Sequence, residues 1–216
     1  MITIKTFVVN PLSENCYIVS DDTKAAVLID CGALYDAERE AIKRYIAQNH
    51  LHPEHLLATH GHLDHLYGVN TIHTLYGLNQ EVSGLDEFLA VHLKEQARDF
   101  FGFAFDEPAT PIGHYIEPFE YINFGHHHLK VIPTPGHTPG SVTFYCKEEE
   151  VAFTGDTLFR MSIGRTDFEG GSWEAMQNSL QLLASTLSSD TKIYPGHGGT
   201  TTMKDELLYN PYISRR

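Results

Sequence analysis

The chain has 216 residues, of which 42% are hydrophobic, and a formal net charge of −13 at pH 7. This length predicts one domain, with room for an inserted segment, and the apolar fraction suffices for a buried core. The acidity argues against nucleic acid or an anionic membrane surface as a partner, because phosphate binding needs clustered Lys and Arg.

The cysteines and the apolar runs indicate the cellular environment. Cys16, Cys31 and Cys146 are an odd, sparse set without a CxxC pair, which is typical of a reducing compartment rather than a disulfide framework. Residues 1–15 lack a basic region followed by an apolar one, and no apolar run approaches the roughly 18 residues of a membrane helix. We therefore expect a soluble, cytoplasmic protein.

The first half of the chain alternates between predicted strands and helices. Apolar patterning predicts strands over 2–9, 15–20, 25–32 and 55–59, and a helix over 36–49. Residues 66–112 are predicted to form a mostly helical insertion over one edge of the site, with a helix from Asp86 to Phe100. The aromatic residues that follow this helix either line a substrate pocket or pack in the core.

The second half repeats the pattern. Strands are predicted over 116–124, 127–136, 141–147 and 150–156, and a short strand runs into a loop over 192–197. Helices are predicted from Trp173 to Leu187, with Ser172 as the N-cap, and over 203–209. Two similar halves of this kind predict two sheets packed face to face with helices outside.

Histidine is unusually frequent, with 14 residues against 15 Lys plus Arg, and the densest cluster is His60-Gly61-His62-Leu63-Asp64-His65. His60 and His62 are separated by one residue, so their rings can converge on one ion in an extended loop. Asp64 and His65 follow where the chain turns, and they can face a second ion. Imidazole and carboxylate ligands suit zinc, and also iron or manganese.

Three further polar residues each follow an apolar strand and are framed by Gly or Pro. They are His137 in PTPGHTPGS, Asp156 in FTGDTLF and His197 in YPGHGG. One histidine in such a setting is usually structural, but three junctions of the same kind beside the 60–65 cluster favour a metal centre. The run His126–His128 begins a strand, and we expect it on the surface.

These motifs resemble, in order and approximate spacing, those of the metallo-β-lactamase fold superfamily, and the resemblance covers nearly the whole chain. It implies an α+β fold, a four-layer αββα sandwich in a single domain over 1–216. It also implies that His60, His62 and His137 bind one metal ion, that Asp64, His65 and His197 bind the other, and that Asp156 bridges them. Asp30, at the end of its strand, resembles the family's aspartate that orients the metal-binding loop.

Such a centre implies a hydrolase in which a hydroxide bridging two divalent ions, zinc by first expectation, attacks a carbonyl group. Asp64 and Asp156 are the candidate catalytic residues. Within the superfamily a bridging aspartate goes with thioesterases, lactonases and nucleases, whereas the lactamases proper lack it. Nuclease members usually carry basic surface and extra domains, which disfavours that activity for this acidic chain.

Residues 154–166 resemble the glyoxalase II group, the hydroxyacylglutathione hydrolases. There a basic residue at the position of Arg165 contacts a carboxylate of glutathione, so Arg165 is either a substrate anchor or part of a surface salt bridge. Full-length glyoxalase II proteins carry a C-terminal helical domain, whereas few residues follow the PGHG motif here. The chain therefore resembles the short bacterial type, and another small acyl thioester or a lactone is open as the substrate.

Two other readings share the fold. Persulfide dioxygenases have a segment similar to Gly164–Phe168 and bind one iron, which here would lie at His60, His137 and Asp156. A non-enzymatic scaffold is disfavoured because degenerate relatives usually lose ligands. The sequence assigns no oligomeric state.

Overall fold

Two six-stranded sheets make up most of the structure, a computed structural model that describes residues 1–213. The first sheet contains, in spatial order, β1 (Thr3–Val9), β2 (Glu14–Ser20), β3 (Ala25–Ile29), β4 (His52–Leu57), β5 (Gln80–Ser83) and β6 (Ile112–Ile116). The second contains β7 (Tyr121–Phe124), β8 (His127–Pro133), β9 (Val142–Cys146), β10 (Val151–Gly155), β13 (Lys192–Pro195) and β14 (Thr201–Thr202). A separate ribbon pairs β11 (Leu158–Phe159) with β12 (Ser162–Ile163).

The α-helices are α1 (Asp36–Gln48), α2 (Val69–Tyr76), α3 (Glu87–Ala90), α4 (Leu93–Gln96), α5 (Trp173–Thr186) and α6 (Met203–Tyr209). A π-helical turn covers Ala97–Phe101. The helices predicted over 36–49, 173–187 and 203–209 agree with α1, α5 and α6, and the hydroxyl of Ser172 accepts a hydrogen bond from the amide of Ala175 as an N-cap. Within residues 1–213, no helix has the length and apolar character needed to cross a membrane.

Strand direction brings the carboxyl ends of several strands to one edge of the sandwich. In the first sheet β3, β4, β5 and β6 are parallel, while β1 and β2 pair antiparallel. In the second sheet β13 is parallel to β10, and β9 is antiparallel to both β10 and β8. β8, β10 and β13 therefore run in one direction, and the loops that follow them lie together.

Three apolar layers hold the sandwich together. β3 shows why its sequence is continuously apolar, because Val27 and Ile29 face the second sheet, whereas Ala26 and Leu28 pack toward Ile42 of α1. The other outer face of the sandwich is covered by α5 and α6, whose apolar residues form a third cluster. The arrangement confirms the predicted α+β sandwich with layers in the order α/β/β/α.

The segment 66–112 differs from the predicted mostly helical insertion because it contains a strand, β5. β5 is a full member of the first sheet, paired parallel to β4 on one side and to β6 on the other. Val82 is buried, and the side-chain amide of Gln80 donates to the carbonyl of Thr110 at 2.8 Å. Only the residues after β5 form a cover of short helical pieces.

The single helix predicted from Asp86 to Phe100 is broken between α3 and α4. The Nδ1 atom of His92 contacts the carbonyl of Phe88 at 2.8 Å, and this carbonyl is the one that the amide of His92 would bind in a continuous helix. That amide binds the carbonyl of Leu89 instead. A local side-chain hydrogen bond thus competes with the helix at this point.

Removal of the Phe144 side chain tests the core between the sheets. Phe144 is fully buried there, so the change Phe144→Ala is expected to lower the free energy of unfolding by about 3–5 kcal/mol. Phe88→Ala, at a phenylalanine that is 42% exposed, is the control and is expected to cost less than about 0.5 kcal/mol. Equilibrium urea unfolding measures both, and equal costs would contradict the assignment of this core.

Candidate metal centre

The histidine-rich loop leaves the carboxyl end of β4 and ends in a single 3₁₀ turn, Leu63–His65. His60, His62, Asp64 and His65 are all buried, each with less than a tenth of its surface exposed. Gly61 is needed at the bend, because a Cβ there would lie 2.6 Å from the Cβ of Leu89. The loop therefore places four polar side chains inside the protein rather than on its surface.

The other three candidates reach the same place from the second sheet. His137 lies in the loop after β8, Asp156 follows β10 and His197 follows β13. Close packing makes glycine necessary beside them: Gly155 has φ of +47°, and a Cβ on Gly196 would lie 2.7 Å from the His65 ring. The edge where the carboxyl ends of these strands meet thus collects all seven side chains.

Three of the imidazoles form a first group. Nitrogen atoms of His60, His62 and His137 all lie within 4.8 Å of one another. Nδ1 of His62 is 2.9 Å from Nε2 of His137. The spacing suits three ligands around one ion, and the chemistry of three imidazoles suits zinc or iron. Below, these residues are called the first group.

Asp64, His65 and His197 form a second group. Their ligand atoms also lie within 4.8 Å of one another. Nε2 of His197 is 3.2 Å from Oδ2 of Asp64 and 3.3 Å from Nε2 of His65. Two imidazoles and one carboxylate offer an equally suitable set of ligands for a divalent ion.

Asp156 lies between the two groups. Its Oδ2 atom is 3.5 Å from Nε2 of His137 in the first group and 3.6 Å from Nε2 of His197 in the second. Its Oδ1 atom is 3.4 Å from Nε2 of His65. One carboxylate therefore faces both groups, which is the position that the family resemblance implies for a bridging ligand.

Hydrogen bonds orient two of the rings from behind through Asp30. Nδ1 of His65 donates to Oδ2 of Asp30 at 3.1 Å. Thr59 donates its amide and its hydroxyl to the two carboxylate oxygens of Asp30, both at 2.7 Å, and its hydroxyl oxygen accepts from Nδ1 of His60 at 3.0 Å. With the proton on Nδ1, the Nε2 atom of each ring is free to bind a metal.

Backbone carbonyls orient two more rings. Nδ1 of His137 donates to the carbonyl of Arg165 at 2.7 Å, and Nδ1 of His197 donates to the carbonyl of Leu12 at 3.1 Å. Because a carbonyl only accepts, these contacts assign the Nδ1–H tautomer and point Nε2 into the centre. The Nε2 atoms of His137 and His197 are therefore the atoms that would bind a metal ion.

Two buried atoms show that the centre fits metal ions. Nε2 of His60 and Oδ1 of Asp156 have no hydrogen-bond partner within residues 1–213, although both are buried. A buried polar atom without a partner is costly, and a metal ion at the centre would satisfy both atoms. In addition, Nε2 atoms of His65 and His197 face each other, an arrangement that needs positive charge between them.

The pKa values of His60 and His62 favour neutral imidazole. Burial lowers the pKa of His60 well below its ordinary value, and the neighbouring histidines lower it further. Burial, together with His137, also lowers the pKa of His62 to about 3. These rings are therefore neutral at pH 7, with a proton on only one nitrogen, and this is the form that binds metal.

Around the second group, negative charge is concentrated. Burial works against the charged form of His65, but Asp64, Asp156 and Asp30 outweigh it and raise the pKa of that ring. Burial opposes ionisation of Asp156 as well, yet the surrounding histidines hold its pKa below the ordinary value. The carboxylates thus stay ionised and attract a cation, and a divalent ion would displace the protons that the imidazoles otherwise hold.

Asp86 is a supporting residue that the sequence analysis did not single out. Its buried carboxylate accepts from the amide of Gly61 at 2.9 Å, the amide of Gly140 at 2.6 Å and the hydroxyl of Thr138 at 2.6 Å. It therefore ties the loop of His60 and His62 to the loop of His137. An acidic residue between β5 and α3 carries no motif, so only the fold shows this role.

A cavity of about 480 Å³ opens above the centre. Its floor contains ligand candidates of both groups, and its walls are largely apolar: Leu12, Phe100, Phe101, Phe159 and Phe168. The guanidinium of Arg165 stacks 3.9 Å from the centre of the Phe168 ring and forms two hydrogen bonds with Asp167, at 2.6 and 2.7 Å. Arg165 thus lines the cavity and forms a salt bridge with Asp167.

The run His126–His128 lies apart from the centre, at the start of β8. His126 is exposed, whereas His127 is half-buried and contacts Asp21 at 3.3 Å and Glu149 at 3.0 Å. We expected the run on the surface: His126 is exposed there, whereas the ring of His127 is partly covered because the two carboxylates pack against it.

Substitution of Asp86 tests whether it supports the first group. In Asp86→Asn one acceptor oxygen becomes an NH₂ donor that faces another donor, so the two loops should separate and metal affinity should fall by about 10–100-fold. Elemental analysis after dialysis against a graded chelator measures the affinity. Asp99→Asn, at an exposed aspartate paired with Arg98, is the matched control. Wild-type metal retention in Asp86→Asn would contradict the role.

Comparison with known proteins agrees with this geometry. The family model described as "Metallo-beta-lactamase superfamily" matches residues 9–197. The hydroxyacylglutathione hydrolase GloC of Haemophilus influenzae is 34% identical over 216 residues, with 99% of each chain covered. The probable metallo-hydrolase YqgX of Bacillus subtilis is 30% identical, with 95% of each chain covered.

Solved structures are similar over the whole chain. A crystal structure of TTHA1623 in a di-iron-bound form is 34% identical, with a TM-score of 0.86 and coverage of 97% of this chain and 100% of that one. A crystal structure of the BLEG-1 B3 metallo-beta-lactamase is 29% identical, with a TM-score of 0.90 and coverage of 99% and 100%. The sequence match over residues 9–197, the shared fold and the seven converging side chains lead to one conclusion: the chain belongs to the metallo-beta-lactamase superfamily, whose characterised members include metal-dependent hydrolases.

Proposed function

We propose that the protein is a binuclear metal-dependent hydrolase of a small acyl thioester, similar in activity to hydroxyacylglutathione hydrolases, with S-lactoylglutathione as the reference substrate. The observation that carries the proposal is the pair of ligand groups that share Asp156, because each group offers enough side chains to hold its own ion. A function that needs one metal would leave Asp64 and His197 without a role.

The expected chemistry follows from the ligand set. Two divalent ions in these groups would supply an activated water as nucleophile and would polarise the carbonyl that it attacks. The protein's part is positioning: Asp30 and Thr59 orient rings of both groups, and Asp156 joins the groups. Asp64 and Asp156 are proposed to bind the metal ions at the point where the substrate carbonyl would react. The apolar walls of the cavity would limit the access of water to this point.

Two points support a thioester over other carbonyl substrates. The relative from H. influenzae, which matches this chain end to end, is named as a hydroxyacylglutathione hydrolase. A thiolate also leaves readily, because its conjugate acid has a pKa near 8.5, so the site needs no strong general acid at the leaving group. Because a similar solved structure is titled as a B3 metallo-beta-lactamase, a β-lactam belongs in the substrate panel together with a lactone.

The rival function is that of a mono-iron persulfide dioxygenase, in which His60, His137 and Asp156 would hold the metal. Gly164–Phe168, the segment behind this alternative, forms part of the cavity wall. The solved structure of ETHE1 from Myxococcus xanthus is 24% identical, so it shows a common fold and nothing more. Metal count and oxygen consumption separate the two functions.

The decisive experiment counts metals and turnover on the same protein. We expect about two metal ions per chain by elemental analysis, hydrolysis of S-lactoylglutathione, and no oxygen uptake with glutathione persulfide. His62→Ala should lose metal and most of the turnover, because it removes a ligand of the first group. One iron per chain together with oxygen uptake and no hydrolysis would replace this proposal with the dioxygenase.

Arg165 is proposed to anchor an anionic part of the substrate. Arg165→Ala is expected to raise KM for S-lactoylglutathione by about three- to tenfold, with kcat and metal content unchanged, because the lost contact would be uniform binding. The hydrogen bond from His137 goes to the backbone carbonyl of Arg165 and survives the substitution. Steady-state kinetics and elemental analysis measure these quantities.

Arg98→Ala provides the matched control for this variant. Arg98 is also exposed and makes the same pair of hydrogen bonds to a neighbouring aspartate, Asp99, but it does not line the cavity above the centre. Its kinetics should equal those of the wild type. Unchanged KM in Arg165→Ala would remove Arg165 from the substrate site and leave it as a surface salt bridge.

The proposed partner is accordingly a small molecule, neither nucleic acid nor membrane, and the proposed location is the cytoplasm. The net charge of −13 supports the first point, since it disfavours binding to polyanions. Fluorescence anisotropy with labelled mixed-sequence DNA or RNA at low salt tests this point, and we expect no detectable binding.

A further inference from the structure

Residues 10–15 comprise the turn between β1 and β2 and the first two residues of β2. This segment, called the turn below, contacts all three members of the second group. We propose that this turn is the positioning element of the second group, and that it determines whether the chain holds two metal ions or one. The inference rests on the proposed binuclear centre. The two ligand groups have different structural supports, and the residues of the turn provide the support of the second.

Asn10 reaches Asp64 from below. Its side-chain amide donates to the carbonyl of Asp64 at 2.8 Å and to the carbonyl of Gly32 at 3.0 Å, and both bonds are buried. Its side-chain oxygen accepts from the amide of Leu12 at 2.9 Å. Asn10 has φ of +51°, a conformation that asparagine tolerates better than most residues. One side chain therefore joins the turn to the loop that carries Asp64.

The same turn holds His197 from the other side. The carbonyl of Leu12 accepts from Nδ1 of His197 at 3.1 Å, which orients that ring. The side-chain amide of Asn15 donates to the carbonyls of Pro195 at 3.0 Å and Gly198 at 2.9 Å, on both sides of His197. The amide of Asn15 also donates to the carbonyl of Gly196 at 2.8 Å. The chain from Pro195 to Gly198 is thus attached to the turn.

Glu14 places a fully buried carboxyl group next to His65. Its carboxylate is fully buried, lies 3.9 Å from Nδ1 of His65, and has no hydrogen-bond partner for either oxygen within residues 1–213. Burial raises the pKa of this carboxyl group, and a buried carboxyl group without hydrogen-bond partners opposes folding in either protonation state. A cation bound by the second group would offset part of this cost, because it would interact with Glu14 through a low-dielectric interior.

The first group is supported by different residues. His60 is oriented by Thr59, His137 by the carbonyl of Arg165, and their two loops are joined by Asp86. Asp30 serves both groups and therefore does not separate them. Residues that orient metal ligands from behind typically contribute about 10–100-fold to metal affinity. Loss of the turn's contacts should then weaken the second ion selectively.

Two variants remove these contacts independently. Asn10→Gly removes the side chain while it keeps the left-handed backbone free of strain, and Asn15→Ala removes the bonds that flank His197. Titration of the metal-stripped protein with Co²⁺, followed by visible absorption, reports each equivalent without reference to activity. We expect two tight equivalents in the wild type. In each variant the first equivalent should stay within about threefold, and the second should weaken about tenfold or more.

Asn210→Ala is the control for general loss of stability. Asn210 is buried like Asn10 and also donates two hydrogen bonds, to the carbonyl of Ser162 and the carboxylate of Glu206, but it lies at the end of α6. It should retain two equivalents. Two tight equivalents in both Asn10→Gly and Asn15→Ala would overturn the inference. It would also be overturned if both equivalents weakened to the same extent in these variants, or if the second equivalent weakened as much in Asn210→Ala.

The outcomes distinguish this inference from the proposed function. If the wild type binds two ions but fails to hydrolyse thioesters, while the variants lose only the second ion, the inference stands and the proposed reaction fails. If the wild type hydrolyses thioesters with two ions and the variants keep both, the reaction stands and the inference fails. If the wild type takes up only one equivalent, both fail.

Discussion

The packing of five imidazoles and two carboxylates at one edge of the sandwich, all but His197 and Asp156 buried, is the constraint on which the rest of this structure depends. Such groups are costly inside a protein unless each atom finds a hydrogen-bond partner or a cation. Four of the rings meet this requirement in the same manner, with Nδ1 donating to an oxygen and Nε2 directed inward. Nε2 of His60 and Oδ1 of Asp156 have no hydrogen-bond partner within residues 1–213, and a metal ion would satisfy both atoms.

The fold meets this constraint through strand direction. Because the parallel strands of the first sheet and three strands of the second end at the same edge, short loops suffice to bring distant parts of the chain together. Hydrogen bonds between the sheets fix the edge itself, such as that from the amide of Val142 to the carbonyl of Thr59 at 2.8 Å. The apolar core between the sheets holds the strand ends from which these loops start.

Local patterning predicted the regular elements well where hydrophobic periodicity was strong, as in α1, α5, α6 and the buried strand β3. It failed for β5, because four residues with one central valine carry too weak a pattern, and their strand conformation comes from pairing with β4 and β6. It also failed at His92, where a side-chain bond to the carbonyl of Phe88 interrupts the helix. In both places a contact outside the local pattern decides the conformation.

The sequence by itself determined the fold class and the seven candidate ligands, because ligand chemistry depends on residue type and their spacing follows the strand ends. It also indicated Asp30, which the structure places against Thr59 and His65. Only the tertiary structure revealed Asp86, Asn10 and Glu14, and only it divided the ligands between two supports. The physical reason is that these three residues act through contacts with segments distant in the chain, and such contacts exist only after the two sheets have packed together.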